Sequence, residues 1–76
     1  SVLIYPNPAS NYITVDFGNF EGSNTTLKLY DSSSKLVFQK QSSTTTSIDV
    51  SAYAKGVYTL EISTTEKVLR SQVVVE

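Results

Sequence analysis

Apolar and polar residues alternate along most of the chain, and the alternation restarts after each cluster of Pro, Gly, Ser, Asn or Asp. A period of two puts successive side chains on opposite faces of a strand, so the pattern predicts strands rather than helices. The clearest stretch starts at Gly56. Tyr58, Leu60 and Ile62 share one face there, and Val57, Thr59 and Glu61 share the other. Ahead of it, Ile48 and Val50 make a short strand, and residues 51–55 make a compact corner ending at Gly56. Tyr53 is expected to lay its ring on the core in that corner and to bond its hydroxyl to backbone. Tyrosines do this where sandwich strands change sheet.

The same reading covers the rest of the chain. Residues 2–5 form an extended run stopped by Pro6-Asn7-Pro8, a rigid corner because each proline fixes φ and keeps its predecessor extended. Ile13, Val15 and Phe17 then face inward, with Tyr12, Thr14 and Asp16 outward. Residues 18–24 are a loop in which Phe20 is either a plug over one end of the core or an exposed partner contact. Leu27 and Leu29 point inward from the next strand, with Lys28 and Tyr30 outward, and a polar turn at residues 31–34 leads to a strand that turns Leu36 and Phe38 inward. Residues 42–46 have no apolar anchor and are expected to be a mobile connection. After a turn at residues 63–66 comes a closing strand over residues 67–75. Leu69, Val73 and Val75 take one parity there and Val68 and Val74 the other, so the strand is either central or covered by another surface at its end. Turn signals recur at the roughly eight- to twelve-residue spacing of a sandwich or barrel. The fold class predicted is an all-β, immunoglobulin-like β-sandwich of about seven short, mainly antiparallel strands.

Composition narrows the chemistry. With 76 residues the chain is read as one domain over residues 1–76. A chain of this size buries only roughly 60% of its unfolded surface, so its stability margin is small. There is no cysteine and no histidine, which removes disulfides, the usual zinc ligands and the usual general base. The net charge is −1 and the six basic residues are scattered, so no basic face for nucleic acid is expected. No apolar run approaches the ~20 residues that span a bilayer. The start lacks the basic and apolar segments of a signal peptide, so an export signal would lie upstream and the chain is read as a fragment of a longer protein.

Candidate sites are correspondingly few. Serines and lysines are too abundant for any Ser–Lys pair to be informative. Asp16, Asp31 and Asp49 could share a calcium ion, but aspartates at strand ends usually bond nearby backbone amides instead. Outward Tyr12 and Tyr30 could stack on a sugar ring, or simply pack across strands. Asn24-Thr25-Thr26 has the form of a glycosylation acceptor. No catalytic residue, metal or cofactor is expected.

Two motifs carry a family resemblance. Tyr5-Pro6-Asn7-Pro8-Ala9-Ser10-Asn11-Tyr12-Ile13-Thr14-Val15 resembles the opening of the C-terminal sorting domain (type A) of the type IX (Por) secretion system of Bacteroidetes. Leu27-Lys28-Leu29-Tyr30-Asp31 and Lys35-Leu36-Val37 look like that family's middle hairpin. Ile48-Asp49-Val50-Ser51, followed by Gly56-Val57-Tyr58-Thr59-Leu60, is similar to its approach to the final strands. The motif positions are therefore Tyr5, Pro6, Asn7, Pro8, Gly56, Val57 and Tyr58.

The resemblance implies a non-catalytic signal, recognised by the type IX translocon, that takes an upstream cargo domain of the same chain from the periplasm to the outer-membrane surface or beyond. It also implies removal by a sortase-like peptidase. Three departures stand out: Ser34 replaces the usual hairpin glycine, Gln72 stands where a lysine often precedes the last apolar run, and Glu76 is acidic. Arg70 could supply the missing positive charge. A short apolar final strand can template strand addition by a receptor, which makes Arg70, Val73, Val74 and Val75 the candidate recognition residues. The rival reading is that the valines only close the sandwich. Two other functions remain open: a carbohydrate-binding or adhesion module, and a passive spacer.

Overall fold

The computed structural model describes residues 2–18 and 24–76. The loop residue Phe20, read above as a plug or a contact, lies outside the described residues. Alternation becomes burial strand by strand: β1 (Leu3–Tyr5), β2 (Tyr12–Asp16), β3 (Thr25–Tyr30), β4 (Leu36–Ser42), β5 (Thr46–Asp49), β6 (Gly56–Ser63) and β7 (Val68–Val75). They form two sheets, ordered β1-β2-β5 and β4-β3-β6-β7, with every neighbouring pair antiparallel. Ile13, Val15 and Ile48 from the first sheet meet Leu27, Leu29, Tyr58, Leu60, Ile62, Val73 and Val75 from the second, all buried. Apolar faces turned toward each other while outer faces stay wet make an all-β sandwich of the immunoglobulin-like kind. The inward assignments of Ile13, Val15, Phe17, Leu27, Leu29, Tyr58, Leu60 and Ile62 agree with this core.

Two expectations are corrected. Leu36 does not point inward: it is 42% exposed and sits opposite Tyr30 on the outer face. The register of β3 with β4 shifts between Leu29, which faces Phe38, and Tyr30, which faces Leu36. This β-bulge inserts Val37 as an extra residue and inverts parity on one side of it. Phe38 keeps its expected direction, and both Val37 and Phe38 pack partly buried against the core.

Residues 42–46 are a bonded turn rather than a loose connection. The buried Thr46 hydroxyl lies 2.8 Å from both the Ser42 hydroxyl and the Thr44 carbonyl oxygen, and the Thr44 N–H donates to Ser42 Oγ at 3.3 Å. Paired hydroxyls replace the missing apolar anchor, because a buried polar group that is satisfied loses little on leaving water.

At the crossing from β5 to β6 the corner is held by two tyrosines where one was expected. The Tyr53 hydroxyl does donate to backbone, to Val37 O at 3.3 Å. The tighter and more local bond comes from Tyr58, whose hydroxyl donates to Ala54 O at 2.6 Å. A tyrosine early in a strand that bonds back a few residues upstream is the corner device of immunoglobulin-like sandwiches. The two rings stack with centroids 5.9 Å apart. Burial raises the Tyr53 phenol above its ordinary value, with Tyr58 and Asp49 adding to the shift.

Candidate functional site

Both motif segments converge on the end of β7. On one side β6 places Gly56 opposite Val75, Val57 opposite Val74 and Tyr58 opposite Val73. On the other side lies the Pro-Asn-Pro corner. The Ala9 N–H donates to Val74 O at 2.8 Å, the Glu76 N–H donates to Ala9 O at 2.7 Å, and Ala9 pairs with Val75 in a parallel bridge. Asn7 extends the row with its side chain: Nδ2 donates to Gln72 O at 3.1 Å, and Oδ1 accepts from the Val74 N–H at 3.1 Å. The Tyr5–Pro6 and Asn7–Pro8 peptide bonds are cis.

The closing valines divide by direction. Val73 and Val75 are buried in the core, whereas Val74 is half-buried on the outer face beside Val57, itself 44% exposed. This settles the open face of the closing strand. It is an edge strand whose inner valines meet the opposite sheet and whose edge is covered at its end by the corner. Leu69 shares the inward parity but remains 41% exposed, because the sandwich is open there. A cavity of about 370 Å³ between β1 and β7 is lined by Val2, Ile4, Ile62, Leu69, Arg70 and Ser71 among others.

Arg70 sits farther along β7, opposite Glu61, with Nε and Nη2 each 3.1 Å from Glu61 Oε1. Its side chain is 67% exposed, so the pair contributes only ~0.2–1 kcal/mol and leaves the guanidinium reachable from solvent. Glu61 as its partner was within reach of the sequence once residues 57–62 and 68–74 were paired as a hairpin. The role of Asn7 was not, because its partners lie 65 and 67 residues away.

Other candidate chemistry comes apart. Each aspartate proposed for calcium is occupied locally: Asp16 accepts from the Gly18 N–H, Asp31 from the Ser33 and Lys35 N–H groups, and Asp49 from the Ser51 N–H and hydroxyl. The Ser51 hydroxyl, followed by its N–H, holds the Asp49 carboxyl below its ordinary value. Among the described residues no cluster of three or more His, Cys, Asp or Glu could hold a metal ion. Tyr12 belongs to the outer face of the first sheet and Tyr30 to that of the second, so they cannot form one sugar platform. No described helix is long and apolar enough to cross a membrane.

A search of curated protein sequences finds no significant match. A family model described as "Secretion system C-terminal sorting domain" matches residues 3–76. Domains of this family are type IX secretion signals, in general non-catalytic, that mark an attached cargo for export across the cell envelope. The match runs from the start of β1 through both motif segments and β7 to the last residue, and the chain belongs to the family of type IX C-terminal sorting domains.

Proposed function

We propose that this chain is a non-catalytic module of a longer secreted protein, read in its folded state by the type IX translocon. It carries the upstream cargo domain from the periplasm across the outer membrane to the surface or the medium, and a sortase-like peptidase then removes it. The family match over residues 3–76 carries this reading.

The arrangement around β7 supports a division of labour among the candidate residues. Val74, with Val57 beside it, and Arg70 on the same outer face are the groups a receptor would touch. Val73 and Val75 act indirectly, by anchoring β7 to the core. Tyr5 is 48% exposed on the outer face of the other sheet, while Asn7 and Gly56 border the end of β7. Pro6 and Pro8 shape the corner. The test is a fusion of residues 1–76 behind a periplasmic reporter in a type IX-competent host. Reporter in the medium or on the surface is the expected result, and reporter held in the periplasm would sink the proposal.

A further inference from the structure

β7 is an edge strand, and an edge presents a row of N–H and C=O groups to any extended chain that approaches it. Over Gln72, Val74 and Glu76 that row is already satisfied, and by a segment that is not a strand. Gln72 O, Val74 N, Val74 O and Glu76 N bond in turn to Asn7 Nδ2, Asn7 Oδ1, Ala9 N and Ala9 O. A carboxamide carries one carbonyl and an N–H donor group, as a peptide unit does. The Asn7 side chain therefore occupies the position that a peptide unit of a neighbouring strand would take.

The sequence leaves few backbone donors in this corner, since only Asn7 and Ala9 of residues 6–9 carry an N–H. Pro6 and Pro8 have no N–H, and the Ala9 N–H is committed to Val74 O. The donor for Gln72 O comes from Asn7. The two halves of the edge also differ in how they are guarded. The first half carries Arg70, with Lys67 just ahead of the strand, charges of the kind that discourage pairing. The second half, Gln72-Val73-Val74-Val75, has no Lys, Arg or Pro and a strongly β-forming composition.

We propose that residues 6–9 are a latch. With Asn7 acting as a surrogate peptide unit, the docked corner closes the C-terminal half of the β7 edge and keeps a second extended chain from pairing there, above all the β7 of another copy. Opening the latch exposes Val74 N–H and O together with Gln72 O. This device is a property of the isolated chain and stands whether or not a translocon reads β7.

Amide hydrogen exchange on the 76-residue chain, together with sedimentation, tests it. In Asn7→Ala, exchange at Val74 is expected to speed up by roughly thirtyfold, from the loss of two ordinary hydrogen bonds, while β6 amides keep their rates. The same variant is expected to form dimers as concentration rises. Asn7→Asp keeps the acceptor for Val74 but loses the donor for Gln72, and its exchange at Val74 should fall between the other two. Unchanged exchange at Val74 in Asn7→Ala would overturn the latch, and so would equal acceleration across β6 and β7. An opened edge that stays monomeric would overturn its role against self-pairing. Should Asn7→Ala fail to fold, Asn7→Asp is read by the same criteria.

Discussion

At Ser34 a single residue carries a cost that its neighbours impose. It takes φ 65, the left-handed region where a side chain costs roughly 1–2 kcal/mol and glycine costs nothing. The turn holds it there. The Ser34 N–H donates to Asp31 O, the Asp31 N–H to Lys35 O, and Asp31 Oδ1 accepts from Ser33 and Lys35. Ser34→Gly is expected to raise stability by about 0.5–1 kcal/mol, after allowing for glycine's greater freedom when unfolded, and so to raise Tm by several degrees. Calorimetry on the pair of chains checks this, and an unchanged or lower Tm would contradict it. Asp49 gives a pH-dependent counterpart. Its carboxyl is held below the ordinary 3.8, mainly by the Ser51 hydroxyl. The folded chain therefore binds fewer protons there than the unfolded one, and the contribution is present above pH ~4 and lost as pH falls through the lowered value. Ser51→Ala should move the Asp49 titration back up toward the ordinary range, as followed by NMR.

Among the elements, the β5–β6 corner shows both what patterning reveals and what it hides. The alternation of Tyr58, Leu60 and Ile62 was plain, and so was the need for a tyrosine at the sheet change. Which tyrosine bonds locally was not, because Tyr53 and Tyr58 lie on the same approach and only the backbone path brings Ala54 O to 2.6 Å from Tyr58. Tyr58→Phe is expected to cost about 1 kcal/mol and Tyr53→Phe, whose bond is long at 3.3 Å, clearly less. Urea unfolding of both variants decides the order, and the reverse order would contradict the assignment. The Leu36 error has a different origin. A bulge adds one residue and inverts parity, and nothing in Lys35-Leu36-Val37-Phe38 marks where it falls. Residues 42–46 looked unanchored because the anchor is a hydroxyl pair, which hydrophobic patterning does not register.

Across the whole molecule, the two motif segments are distant in sequence yet flank one strand end. Residues 56–58 pair with β7 from one side, and Asn7 and Ala9 bond to it from the other. The family resemblance could be read from the motifs in order, but their meeting at Val74 required the fold. That meeting divides the valines into two that hold the sandwich shut and one that faces out. Val73→Ala removes a fully buried side chain and should cost roughly 2 kcal/mol, lowering Tm by about 10 °C. Val74→Lys places its charge at an outer-face position, where surface changes usually stay within about 0.5 kcal/mol. The outward role of Val74 is tested most directly by the exported fraction of a reporter fused to residues 1–76 carrying Val74→Lys, with the Tm of the same chain measured alongside. A receptor contact at Val74 predicts that export collapses while Tm stays within a few degrees of the parent. Full export with an unchanged Tm would contradict it.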